Sequence, residues 1–200
     1  MKIKLVLFST AVVANFGGVA QAASFQNTFG LVAPVSVQDF NSPVVADDSP
    51  AGSVFSGMTF SSNVNVTSAY TGYFGTTGQS IVNFNPCCST PSFVSFSSIV
   101  NNIGFLFVTN SGTSTFSAYL GNTLVESFSA PSNLSSPNRY YGFTGIAFNK
   151  IRFDSGGVNN AMLLDNMQFG PSAVPEPETY AMLLAGLGLL GFARRRKQHC

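Results

Sequence analysis

The stretch Ile103–Phe128 reads Ile-Gly-Phe-Leu-Phe-Val-Thr-Asn-Ser-Gly-Thr-Ser-Thr-Phe-Ser-Ala-Tyr-Leu-Gly-Asn-Thr-Leu-Val-Glu-Ser-Phe. Its opening, Ile103–Thr109, is apolar on both alternating sets, which predicts a central strand covered on both faces. Thr115–Leu120 and Thr123–Phe128 follow as two further strand-like runs. Only Gly121 and Asn122 separate them, a compact hairpin signal. The middle of the chain therefore reads as antiparallel sheet.

The same signals recur outward from it. On the N-terminal side are Val54–Phe60, Asn63–Thr67, Ile81–Phe84 and Phe93–Phe96, punctuated by Ser, Gly, Asn and Pro. On the C-terminal side, Ile151 and Phe153 alternate with Lys150, Arg152 and Asp154, and Met162–Phe169 forms the last run. No helical period is sustained outside the two ends. About ten short strands with turn residues between them predict an all-β, jelly-roll-like β-sandwich over residues 24–172.

The ends read as processing segments. Lys2 and Lys4 precede an apolar run from Leu5 to Phe16, and Ala20-Gln21-Ala22 is a small-x-small cleavage site. This predicts a signal peptide over residues 1–23, cut after Ala22 or Ala23 and handled by the Sec export machinery. An uncleaved anchor is the alternative, but the apolar run is short for one. At the other end Val174-Pro175-Glu176-Pro177-Glu178 is stiff and extended. Tyr180–Ala193 is apolar and helix-forming, and Arg194-Arg195-Arg196-Lys197 is a basic stop. A helix over about 179–193 falls short of the roughly 20 residues of a full span. The basic cluster argues for a short membrane helix all the same, held at its cytoplasmic end.

Composition limits the chemistry. Between Ser24 and Ala173 the charged residues are Asp39, Asp47, Asp48, Glu126, Asp154 and Asp165 against Arg139, Lys150 and Arg152, a net charge of −3 where the whole chain carries +1. No basic patch exists, which argues against nucleic acid as a partner. The single histidine is His199, in the tail, so the exported part has none. Ser-His-Asp and Cys-His catalysis and the commonest zinc sites are thereby removed. Carboxylate chemistry survives in principle, with Glu126 and Asp154 or Asp165 as a glycan-hydrolase pair. Cys87 and Cys88 are adjacent and cannot staple the fold. A vicinal disulfide or two thiols in a loop is the expectation there.

Three further features are candidate sites. Tyr70-Thr71-Gly72-Tyr73-Phe74-Gly75 is a Gly-rich aromatic loop, and Tyr140-Tyr141 is an aromatic pair beside Arg139. Such rings stack on sugar faces, though a Phe-rich sandwich must also bury rings under its loops. Asp165 shares a face with Leu163, Met167 and Phe169 in a regular strand, where a carboxylate has to be hydrogen-bonded or metal-bound.

The order Val174-Pro175-Glu176-Pro177, Gly-rich apolar run, Arg194-Arg195-Arg196 resembles the PEP-CTERM sorting signal of Gram-negative bacteria. The resemblance implies export, transient anchoring in the inner membrane and processing by an exosortase. The expected destination is the cell surface, outer membrane or extracellular matrix. It further implies a non-enzymatic protein associated with exopolysaccharide, in a biofilm matrix for example. A lectin-like carbohydrate-binding module is the first alternative and a carboxylate-dependent hydrolase the second. The order Gln38-Asp39-Phe40, Val54–Phe60, Leu164-Asp165-Asn166-Met167-Gln168-Phe169 also resembles a recurring exported domain of PEP-CTERM proteins, and similar Asp-Asn closing strands occur in jelly-roll carbohydrate-binding modules. In those modules an acid at the place of Asp165 helps hold a structural calcium. That implies calcium between Asp39 and Asp165 here, and no other cofactor.

Overall fold

Twelve strands run through the described residues, and none of those residues is helical. A computed structural model of the chain describes residues 23–83, 91–156 and 161–171. All of them fall within one compact unit, Gln21–Val174. The predicted signal peptide, Cys87 and Cys88, and the sorting segment with its helix lie outside the described residues, apart from Ala23 at the leader's end.

One sheet holds seven strands. They are β1 (Ala23–Asn27), β2 (Ser36–Gln38), β4 (Asn65–Thr67), β5 (Ser80–Val82), β7 (Ile103–Thr109), β10 (Tyr140–Thr144) and β12 (Met162–Phe169). Their order is β1-β10-β7-β12-β5-β4, with β2 added beside the second half of β12. The other sheet holds β3 (Met58–Phe60), β6 (Ser92–Val100), β8 (Gly112–Leu120), β9 (Thr123–Ser132) and β11 (Phe148–Asp154), in the order β3-β6-β11-β8-β9. All pairings are antiparallel.

The two sheets face each other across a shared core of phenylalanines. Phe105 and Phe107 from β7 meet Phe116 from β8 and Phe153 from β11, with ring centroids 4.9–6.2 Å apart. Edge-to-face packing dominates, as the ring quadrupole favours. Residues 103–109 and 162–169 form strands with the bounds their sequence predicts. Val54–Phe60 does not: only Met58–Phe60 is strand. Residues 51–57 turn back on themselves, with Val54 N–H donating to Ala51 O at 3.1 Å and Met58 N–H to Phe55 O at 3.1 Å.

Strand β1 closes the edge of the larger sheet. Its Phe25 sits in register with Gly142 and, one strand further, Gly104. The ring lies over these two glycines. A Cβ on Gly142 would run into the Ile103 carbonyl and stand 2.5 Å from the Phe25 ring. Gly142→Ala is therefore expected to cost about 2–4 kcal/mol through overpacking and loss of the β1 seat. Urea unfolding measures it. Phe25→Ala in the Gly142→Ala background should recover part of the loss, because it removes the ring that the new methyl meets.

Candidate functional site

The outer face of the seven-stranded sheet carries two side-chain rows that cross strand boundaries. Val82, Leu163 and Val108 are in register on β5, β12 and β7. Asp165, Leu106 and Tyr140 are in register on β12, β7 and β10. Val82, Leu106, Val108 and Leu163 form an apolar cluster separate from the main core, with Tyr70, Phe74 and Tyr140 packed against it.

Tyr70 and Phe74 arrive from the loop joining β4 to β5, which folds down over this face. Side-chain and backbone bonds give the loop its shape. Thr71 Oγ1 donates to Gly78 O at 2.6 Å, and Gly72 N–H donates to Thr76 O at 3.0 Å. Thr76 Oγ1 reaches the carbonyls of Tyr70 and Tyr73. Gly78 has φ +71°, and its Cα faces the Asn41 side chain so closely that any Cβ would collide with it.

Between loop and sheet an open cleft of about 270 Å³ remains. The Tyr70 and Phe74 rings form one wall, Val108 and Leu163 belong to the floor, and Asn110 and Leu134 stand at other sides. The two rings are 6.3 Å apart and tilted by 35°. Arg139, just before β10, places its guanidinium carbon 5.9 Å from the Phe74 ring centroid.

Asp165 anchors the other end of the loop. Its Oδ2 accepts from Thr77 N–H at 3.1 Å and its Oδ1 from Asn166 N–H at 2.7 Å. The carboxyl is fully buried. Desolvation pushes its pKa up to about 7 against those two hydrogen bonds, and the nearby Asp39 carboxylate pushes the same way. The Tyr140 phenol is likewise held above its usual value, first by burial and then by the Asp165 charge.

A bulge sets the direction of Asp165. Asp165 pairs with Leu106 and Gln168 with Gly104, so β12 carries one extra residue there. Asn166 absorbs it at φ +46°. The regular-strand reading is corrected on this point. Asp165 and Leu163 face outward, while Met167 and Phe169 return to the core side with Leu164.

The other predicted residues scatter. Tyr70 and Phe74 line the cleft, whereas Tyr73 is 63% exposed beside it. Tyr140 and Tyr141 are neighbours in a strand and so point to opposite faces. Tyr141 is buried in the core, with its hydroxyl donating to Pro131 O at 2.9 Å. It offers no surface for a ligand. Glu126 pairs with Ala118 on the inner side of the five-stranded sheet, and Asp154 lies on that sheet's outer side, bonded to Arg152 at 2.8 Å. Asp165 is in the other sheet. The three acids do not converge as a hydrolase pair requires.

The Asp39 carboxylate is close enough to Asp165 to act on its charge. Among the described residues no group of three or more His, Cys, Asp or Glu side chains gathers. The donors here are oxygens only, which suits calcium. Two carboxylates fall short of its six to eight ligands, so carbonyl oxygens would have to complete a shell. Val108, Asn110, Leu134 and Leu163 carried no sequence signal as cleft residues. Their common face appears only once β7, β12 and the 133–139 turn are side by side.

Residues 173–197 match the PEP-CTERM protein-sorting motif. The chain carries a PEP-CTERM sorting signal. A PEP-CTERM chain is exported and sorted to the cell surface by an exosortase, which is therefore the processing partner. None of the curated proteins compared matches the sequence. Among solved structures, the chain is similar to the K2 cleaved adhesin domain of Lys-gingipain. That match has 11% identity and a TM-score of 0.44, over 74% of this chain and 100% of that one. It is also similar to the catalytic domain of Agl-KA, with 10% identity and a TM-score of 0.38, over 68% of this chain and 31% of that one.

Proposed function

We propose that the exported domain is a non-enzymatic component of the cell surface or extracellular matrix, and that it holds exopolysaccharide in the cleft beneath Tyr70 and Phe74. The observation that carries this reading is the cleft's construction. Two aromatic rings stand over an apolar floor, with Asn110 offering polar contacts at the side. A sugar ring has apolar C–H faces and a polar rim, and that combination suits stacking with a few directed hydrogen bonds. The scattered acids and the histidine-free domain support a binding role over catalysis. We also read the two facing sheets as a jelly-roll-type sandwich, Sec as the export route, and the 179–193 helix as a transient inner-membrane anchor. Calcium between Asp39 and Asp165 is retained as a proposal for the acid pair.

Phe74→Ala removes one of the two rings in the cleft's aromatic wall, at a partly buried position. Matrix-bound protein should fall about tenfold, the loss of one good stacking contact, while the total exported amount stays the same. The measurement is the ratio of matrix-bound to free protein in the protein's own host. An unchanged ratio would remove the cleft from the proposal.

A further inference from the structure

We infer that the cleft takes an acidic sugar, a uronate or a similarly carboxylated residue, with the Arg139 guanidinium as its partner. This rests on the reading of the cleft as a polysaccharide site. Arg139 does not itself line the cleft, but both groups that hold its guanidinium do, which sets it beside the opening. Its carbon lies 5.9 Å from the centre of the Phe74 ring, and Nη2 donates to Leu134 O at 3.1 Å. Those contacts leave most of the fork unused. Nε is buried without a partner, which leaves the Nη edge to a ligand, and Arg139 makes no ion pair among the described residues, where Arg152–Asp154 is the single salt bridge.

The placement is selective. The other two cations of the described residues, Lys150 and Arg152, are both on β11 of the opposite sheet. Lys150 lies over the Tyr119 ring and Arg152 is bonded to Asp154. Arg139 is the one cation beside the cleft, in a domain whose net charge is −3. A guanidinium already oriented by an aromatic face and a carbonyl loses little freedom when a planar carboxylate docks on its open edge. The neighbouring rings then take the apolar face of the same sugar. A neutral sugar would use the rings and leave the guanidinium idle.

The test uses full-length protein and two probes with one backbone: oligogalacturonates, and the same oligomers with their carboxyl groups reduced to alcohols. Calorimetry should show the acidic oligomer binding about tenfold or more tighter than the reduced one, the scale of one charge-assisted bidentate contact. Arg139→Gln should bring the two affinities together. That ratio is insensitive to general loosening of the 133–139 turn, which would weaken both probes alike. If Arg139→Gln does not fold, Arg139→Lys serves instead. It keeps the charge but not the fork, and it should lower the preference by about threefold or more. Equal affinity of the native protein for both probes would overturn the acidic-sugar inference and leave the polysaccharide reading standing. No binding of either probe by folded protein, nor of a neutral glucan panel, would overturn both.

Discussion

Phe116→Ala should lower the unfolding free energy by about 3–5 kcal/mol, the cost of emptying a large site in a packed core. Phe116 is fully buried, and its ring lies within 6.3 Å of five others: Phe105, Phe107, Phe128, Tyr141 and Phe153. These come from four other strands in both sheets, so the cavity would open where the sheets meet. Backbone pairing keeps the sheets from collapsing into that space, which places the cost toward the upper end. For a domain of this size the melting temperature should fall by about 10 °C or more. Phe116→Leu retains much of the volume and should lose only about 1–2 kcal/mol. A loss below about 1 kcal/mol for Phe116→Ala would mean that the sheets do not meet through this ring.

The second large effect belongs to Asp165. A carboxyl whose pKa rises from 3.8 unfolded to about 7 folded is favoured by the fold in its protonated form. The folded state then binds more protons between about pH 4 and pH 7, and stability falls as pH rises through that window. Each pKa unit is worth 1.36 kcal/mol, so the full swing from this group is about 4 kcal/mol at most. Asp165→Asn removes both the titration and the repulsion from Asp39. Its carbonyl keeps one of the two backbone N–H bonds and loses the other. In the presence of a chelator the variant should be more stable than the native protein at pH 8, by about 1–3 kcal/mol. It should be equal or slightly less stable at pH 5. Urea unfolding at the two pH values measures the crossover. The account of Asp165 would be sunk by a native stability that rises between pH 5 and pH 8. Millimolar calcium provides the second arm. If the acid pair holds the ion, native protein at pH 8 gains stability on calcium addition and Asp165→Asn does not. No calcium shift in the native protein would dismiss the metal.

Parts of this architecture were legible in the sequence because a continuous apolar run leaves few alternatives. Ile103–Thr109 and Met162–Phe169 are covered on both faces, and their bounds were readable. Tyr140–Thr144 was not, because Tyr-Tyr-Gly-Phe-Thr serves equally as an aromatic surface loop. Only pairing with β7 and β1 sends Tyr140 outward and Tyr141 into the core. Val54–Gly57 has strand-like residues, yet Gly57 at φ +75° and its neighbours' turn bonds bend the chain away. The outward direction of Asp165 depends on one extra residue at Asn166, and alternation carries no warning of a bulge. The aromatic loop was visible, but the cleft beneath it was not. Its walls come from positions 70, 74, 108, 134 and 163, which share no local pattern.

The last described strand, β12, is not at an edge. It lies between β7 on one side and β5 and β2 on the other, so β1-β10-β7 and β5-β4 are joined only through it. The order of synthesis therefore governs when this domain can close. While Met162–Phe169 is still to come, the larger sheet exists as two halves with open edges, and the face that carries the cleft cannot be completed. Non-local pairing of this kind is slow and needs the whole segment present.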